Sequence, residues 1–390
     1  MSKPFLTYDQ QLDKLQNEKK LQIHDRATAK EILKNIGYFS LIGGYKTPFI
    51  NPMTRIYQNN TSFEDIYALY QFDLSLRELV FKYLCEIECK IRQLVSYHFC
   101  SLHGEQQTAY LTPGNYNHTK KNAADITRLI QILSYQANKN TEHNYVVHQR
   151  KVYHNVPLWV LTNTLTYGQI SRFYALLPFQ LQSGISKDFP GVNEKKLERY
   201  LKILTLFRNV CAHNERLYSF RTQIDFPDTM LHQKLNIPKK GNQYLSGKRD
   251  LFGLVIAFRY LLPKQDFLEF KRELIGIINK YIKKQRADQR IFPFGYNGIP
   301  CKLERYYPIP HLRRPHEPVK ALKTCQSPPA LLPQHTYAHR SGSPHTFRSP
   351  SRWSKDPGPG WTAPAASYPF AKWFQKKKPE NPPLRINFPA

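Results

Sequence analysis

Long apolar runs, cysteine and acidic side chains are all scarce in this sequence of 390 residues. No run of about 18 apolar residues occurs, which excludes a membrane-spanning helix of ordinary length. The start of the chain is polar and lacks the apolar core of a secretory signal. We therefore expect a cytoplasmic protein that has no membrane partner.

Cysteine is too sparse to organise the fold or a metal centre. The six cysteines form no Cys-x-x-Cys pair and fall far below the density of a disulfide scaffold. Cys85 and Cys89 are four apart on a predicted helix, near His98 and Cys100, and a zinc site there requires His98 and Cys100 to fold back from the same helix. No tight group of acidic side chains suits a two-metal nuclease. We predict no metal and no cofactor.

Basic residues outnumber acidic ones almost two to one. The chain has 57 Lys and Arg against 29 Asp and Glu, a formal net charge of +28. This excess fits a polyanionic partner. Residues 301–390 hold 17 of the 29 prolines and 15 of the basic residues. We predict a helical body at 1–300 and a disordered, Pro-rich basic tail at 301–390. The alternative for the tail is a fused or frameshifted reading frame without a selected role.

Strand alternation is nearly absent from 1–300, and apolar residues at helical spacing dominate. The sequence therefore predicts an all-α body, with Tyr218–Ile224 as the best strand candidate. Besides a polar helix near Lys14, helices are predicted at Ala27–Ile36, Thr61–His98, Ala123–Gln136, Pro157–Leu177, Glu194–Ala212, Leu251–Leu262 and Phe267–Lys284.

The strongest chemical signal is the end of the helix predicted at Glu194–Ala212. Arg208 falls on its apolar face, 11 residues after Leu197, where a guanidinium must be paired or face a cleft. A buried Arg paired with a carboxylate is the purely structural alternative. Asn209 and His213 are neighbours on the helix surface. His213 lies about 140° around from Arg208, so the two converge only if the helix ends or bends there, or if two copies build the pocket.

These residue types suit RNA cleavage without a metal. A histidine transfers protons as general acid or base, an arginine binds phosphate oxygens bidentately, and an asparagine orients the imidazole or bonds the phosphate. Arg92 and His98 form a second, weaker candidate motif of similar spacing. Its structural alternative is an ion pair between Arg92 and Glu88, with His98 packed in the core.

Two other segments mix cations with aromatic residues. Lys120 and Lys121 follow Tyr116, and Arg150 and Lys151 lie among further tyrosines. Such a mixture offers phosphate contacts and stacking surfaces to single-stranded or looped RNA. We regard these four cations as candidate RNA-binding residues, with ordinary solvated loops as the alternative.

Several blocks in the same order resemble the abortive-infection (Abi) bacteriophage-resistance proteins of the AbiD/AbiF type, within the HEPN ribonuclease superfamily. The resemblance covers about residues 3–300. The blocks are KPFLTYDQQLDKL at 3–15, IGYFSLIGGYKTPF at 36–49, FEDIYALYQFDLSLREL at 63–79, EIECKIR at 86–92, VPLWVLTNTLTYGQISRFY at 156–174 and LFRNVCAHNERLY at 206–218.

The resemblance implies a HEPN-type helical bundle at about 60–290 with additional helices. It implies a bacterial phage-defence toxin, a metal-independent endoribonuclease that leaves cyclic-phosphate and 5′-hydroxyl ends. Carried over by position, the family's motif falls on Arg208, Asn209 and His213. Such sites commonly form between two HEPN units, so we expect a homodimer; an internal second unit carrying Arg92 and His98 is the rarer arrangement. The Pro-rich tail departs from the family.

Two other functions stay open at this point. One is a non-catalytic RNA-binding module, or a toxin component restrained by a structured RNA, which the charge and the aromatic residues support without any catalysis. The other is a DNA-binding regulator, which is weaker because no helix-turn-helix signature is found.

Overall fold

The computed structural model describes residues 4–287, with side chains described to residue 283; the tail predicted at 301–390 lies outside this range. The architecture is all-α, as predicted, with one short antiparallel hairpin of β1 (Lys239–Lys240) and β2 (Gln243–Tyr244). The α-helices are α1 (Tyr8–Asp13), α2 (Arg26–Ile36), α3 (Phe63–His103), α4 (Gln107–Leu111), α5 (Ala123–Asn138), α6 (Asn144–Tyr153), α7 (Leu158–Leu161), α8 (Tyr167–Leu176), α9 (Phe179–Ser186), α10 (Glu194–Ala212), α11 (Met230–Lys234), α12 (Leu251–Leu261) and α13 (Lys264–Ala287). None of the helices among these described residues could span a lipid bilayer.

The 41-residue helix α3 is the element on which the others pack. It begins after Ser62, whose backbone N–H donates to the Asp65 carboxylate at 2.8 Å, and it ends at Gly104, whose φ of +83° stops the helix. At 1.5 Å per residue it is about 60 Å long. One helix therefore carries residues of both hydrophobic cores.

Two hydrophobic cores lie along α3. The N-terminal core packs Leu12, Leu33, Leu41 and their neighbours against the first two turns of α3. The main core contains the rest of the α3 apolar stripe, together with α5 and α7–α13. Tyr218, just beyond α10, packs against both cores. The segment that follows α10 therefore joins the two parts of the body.

Helix α10 has the bounds that the sequence predicted. Asn193 caps its N-terminus by accepting from the Lys196 amide at 2.9 Å. Its apolar face, which includes Leu197, Leu201 and Leu204, is fully buried, and the helix packs on α3 and α8. The candidate motif therefore sits at the end of a helix whose position is fixed by the main core.

Two predicted elements were wrong. The single helix predicted at Pro157–Leu177 is broken into α7, a 3-10 turn and α8, because Thr166 and Gln169 form a capping box that starts a new helix. The segment Tyr218–Ile224 is not a strand. The Tyr218 amide donates to the side chain of Asp73 instead of to a neighbouring strand.

Candidate active site

Helix α10 ends at His213, the last residue of the candidate motif. His213 is its C-cap, with ψ at 11°, and Asn214 follows in the left-handed region with φ at +56°. The Glu215 amide donates to the Val210 carbonyl at 3.0 Å, and the Asn214 amide points back to Cys211. This is the Schellman type of helix end, in which a left-handed residue turns the chain away from the axis. The helix therefore ends at His213, and the chain turns away from the helix axis only after the motif.

Arg208 is held at the surface of the main core. Its side chain is 30% exposed, and its Nε lies 3.9 Å from Oε2 of Glu88 on α3. Its guanidinium also lies over the ring of Phe81, 5.8 Å from the centroid. The Nε atom is buried and has no hydrogen-bond partner. The side chain is thus oriented by a carboxylate and a ring but not saturated by hydrogen bonds.

Glu88 lies between the two arginines that the sequence singled out. It is 5% exposed. Arg92 contacts its other oxygen and also donates to the carbonyl of Leu165 at 2.5 Å, so the predicted ion pair of Arg92 and Glu88 is confirmed. Burial raises the pKa of Glu88, and the two guanidinium groups oppose that shift. The paired state that was the structural alternative for Arg208 is therefore present, through a carboxylate already shared with Arg92.

Asn209 and His213 are both exposed. The His213 amide donates to the Asn209 carbonyl at 2.9 Å. Within residues 4–287, no hydrogen bond or ion pair joins the His213 imidazole to Arg208. The two residues are separated by about 7.5 Å along the helix axis. The structure therefore leaves the His213 imidazole exposed and not hydrogen-bonded to Arg208.

His98 occupies a different place from Arg92 on α3. Its imidazole packs against Gly184 of α9, where an added Cβ would come within 2.8 Å of Nδ1. Its Nε2 lies 4.0 Å from Asp188, and its side chain is 24% exposed. Six residues separate His98 from Arg92, about 9 Å along the helix. The structure thus places His98 at a helix contact and Arg92 beside Glu88.

A buried polar cluster fixes the chain just after His213. Asp73 is fully buried, and its carboxylate accepts from Tyr45 Oη at 2.7 Å and from Arg77 at 2.6 Å. It also accepts from the backbone amides of Leu217, at 3.2 Å, and Tyr218, at 2.7 Å. We call Tyr45, Asp73 and Arg77 the buried clamp. It ties the segment that follows α10 to α3 and to the N-terminal core.

Sequence reasoning did not single out the buried clamp, and it paired Glu88 with Arg92 but not with Arg208. The available signal was charge at helical spacing within an apolar stripe: Asp73 and Arg77 are four apart between Leu69 and Val80 on α3. Two further bonds reinforce the clamp. Arg77 also donates to the Glu215 carbonyl at 3.4 Å, and Arg216 donates to the Gly44 carbonyl at 2.9 Å.

The four candidate RNA-binding cations are placed unequally. Lys120, Lys121 and Lys151 are exposed, but Arg150 donates to the carbonyls of Ala137 and Asn140 at the end of α5. Tyr116, expected beside the lysine pair as a stacking surface, is buried and donates to the Tyr110 carbonyl. The guanidinium of Arg150 is therefore already hydrogen-bonded to backbone carbonyls at the end of α5.

Comparison with known proteins finds a family similarity in the central part of the chain. Residues 31–219 match the protein family described as Abi-like protein. No match is found among curated proteins or among solved structures. The matched range contains the buried clamp, Glu88 and the whole Arg208–His213 motif.

Proposed function

We propose that this chain, whose residues 31–219 match the Abi-like proteins, is a metal-independent endoribonuclease that acts in abortive infection. This assigns it to the HEPN ribonucleases, near the AbiD/AbiF group. His213 transfers protons, Arg208 binds the phosphate, and Asn209 orients the imidazole or bonds the phosphate. The observation that carries the proposal is the end of α10, which leaves the His213 imidazole exposed at the end of the same helix on which Glu88 orients Arg208.

The chemistry needs only these groups and the RNA itself. The 2′-hydroxyl attacks its own phosphorus, its proton passes to a neutral imidazole, and the bond from phosphorus to the 5′-oxygen breaks. The leaving 5′-oxygen takes a proton from an imidazolium, so the products are a 2′,3′-cyclic phosphate and a 5′-hydroxyl. Arg208 stabilises the negative charge that builds up on the phosphoryl oxygens.

A second copy of the chain supplies a second imidazole, so that each of the two proton transfers has its own. The attacking and leaving oxygens of an in-line displacement lie on opposite sides of the phosphorus. A single imidazole cannot contact both at once, whereas two exposed His213 side chains, one from each subunit of a symmetric dimer, can. We therefore propose a homodimer with a composite site.

Glu88 gives Arg208 its orientation in this scheme. The carboxylate is shared with Arg92, so the Glu88–Arg92–Arg208 group keeps one excess positive charge for an incoming phosphate. A phosphate forms bidentate contacts with a guanidinium at a distance shorter than the 3.9 Å ion pair to Glu88. Glu88 therefore orients Arg208 and leaves its guanidinium able to bind a phosphate.

The direct test is RNA cleavage by the purified full chain in EDTA. We expect cleavage by the wild type, loss of about 100-fold or more in His213→Ala, and no loss in the matched control His118→Ala, whose histidine is exposed in the loop before α5. Cleavage that requires added Mg²⁺, or that survives in His213→Ala, contradicts the proposal.

The composite site has its own test. Wild-type and His213→Ala subunits are mixed in equal amounts and allowed to exchange. If both imidazoles are needed, only dimers of two wild-type subunits act, and about a quarter of the wild-type activity remains. A remaining activity of about half means that each subunit acts alone and contradicts the composite site.

An RNA-binding module without catalysis is the second candidate function. It is favoured by α6, where Tyr145 and Tyr153 are 43% and 62% exposed and Lys151 is exposed as well. Exposed aromatic rings and cations suit stacked bases and phosphates. Tight, salt-dependent RNA binding with no cleavage under any condition moves the assignment to this function, including a toxin component restrained by a structured RNA.

A further inference from the structure

A basic cavity lies in the N-terminal core, lined by none of the residues of the candidate active site. Its volume is about 270 Å³, and its charged lining residues are Lys19, Lys46 and Arg55. No Asp or Glu lines it. Within the described part of the chain, none of the three cations takes part in an ion pair. Three positively charged residues therefore line one cavity.

The backbone around the cavity is fixed by hydrogen bonds. The Tyr57 amide donates to the Lys19 carbonyl at 3.0 Å, and Ile50 pairs with Tyr57 as an antiparallel bridge. Arg55 has a φ of +59°, and its amide donates to the Asn51 carbonyl at 2.9 Å. The residues that carry the cations are thus placed by a closed turn and by the end of the helical segment after α1.

The rest of the lining is apolar or aromatic. Leu15, Ile42 and Ile50 form its buried apolar part, and Tyr38 and Tyr57 supply two rings. Burial raises the pKa of both phenols, so their hydroxyl groups stay neutral and can donate hydrogen bonds. The cavity therefore combines a cationic rim with an apolar and aromatic wall.

We propose that this cavity binds a nucleoside monophosphate, with the phosphate between Lys19, Lys46 and Arg55 and the nucleoside against the apolar and aromatic wall. Three cations with no acidic neighbour in the lining match the two negative charges of a phosphate monoester. The volume lies just below the range of about 300–1,000 Å³ typical of pockets for drug-sized ligands, so the cavity suits a single small ligand and not a stretch of RNA chain.

The test is calorimetric titration of the full chain with adenosine 5′-monophosphate, without RNA and in EDTA. We expect saturable binding, and about tenfold weaker binding in Lys46→Gln and in Arg55→Gln, because each removes one charged hydrogen-bond donor. The matched control is Lys20→Gln, which removes the same charge from an exposed residue next to Lys19 but outside the cavity. Circular dichroism checks that all variants are folded.

Further ligands distinguish a free nucleotide from the 5′ end of an RNA as the source of the phosphate. Adenosine without phosphate should bind at least tenfold more weakly. Displacement of the monophosphate by a 5′-phosphorylated RNA oligomer, but not by its 5′-hydroxyl form, identifies an RNA end as the source; displacement by neither identifies the free nucleotide. No saturation up to about 1 mM, or equal losses in the Lys20 and Lys46 variants, overturns the proposal. Because no cleavage is measured, this outcome is independent of the ribonuclease assignment.

Discussion

Asp73→Asn should be among the most destabilising single changes in the chain. The wild-type carboxylate has no solvent exposure and receives four donors, from Tyr45, Arg77 and the amides of Leu217 and Tyr218. An asparagine keeps one acceptor oxygen and puts an N–H₂ group where the second oxygen accepted a hydrogen bond. At least one buried donor then lacks an acceptor, and the guanidinium of Arg77, 3% exposed, loses its counter-charge.

The magnitude follows from the burial of the pair. Breaking a buried ion pair by removing one charge costs about 3–5 kcal/mol, which lowers the Tm of a body of this size by roughly 10 °C. Thermal and urea unfolding followed by circular dichroism measure the change. The matched control is Asp125→Asn, which breaks the exposed pair with Arg172 and should cost less than about 1 kcal/mol.

A double variant tests the physical reason. In Asp73→Asn combined with Arg77→Met, no unpaired buried charge remains, so it should be more stable than Asp73→Asn alone. The reasoning is refuted if Asp73→Asn unfolds within about 1 kcal/mol of the wild type, or if the two substitutions add without coupling. Because the buried clamp fixes the segment after His213, we also expect RNA cleavage by folded Asp73→Asn to fall.

Three further predictions concern single positions. Glu88→Gln should keep the fold, since the arginine partners of Glu88 are partly exposed. It should lower RNA cleavage at least about tenfold because Arg208 is released, and unchanged cleavage contradicts the role of Glu88 in orienting Arg208. Burial lowers the pKa of His232, so its contribution to stability is present above about pH 6.5 and is lost as the pH falls; His232→Gln should flatten this slope in urea unfolding. Asn214, at φ +56°, should tolerate Gly, whereas Val should cost about 1–2 kcal/mol in thermal unfolding, and equal stability of both variants contradicts the helix-end geometry.

The helices were predictable because their signals are local. The bounds of α10 and the end of α2 at Gly37 follow from caps and apolar spacing within a few residues. The break between α7 and α8 has a local signal too, the capping box of Thr166 and Gln169. It was missed because the apolar pattern continues across it, and the pattern alone does not reveal where a new helix begins.

The site was predictable only in part, because its support comes from distant segments. The motif of Arg208, Asn209 and His213 can be recognised in the sequence, and so can the intrahelical pair of Glu88 and Arg92. That Glu88 also reaches Arg208, 120 residues later, depends on the packing of α10 against α3. No spacing rule links those positions.

The sequence alone determined an all-α body, the bounds of its strongest helices and the residues of the candidate motif, since helix periodicity and capping act over a few residues. Only the tertiary structure decided which charges meet. It placed Glu88 between two arginines, tied the chain after His213 to Asp73, and brought Lys19, Lys46 and Arg55 to one cavity whose lining contains no Asp or Glu. The reason is physical: buried charges are paired by whichever segments the apolar cores bring together, and that choice is made by packing over the whole body.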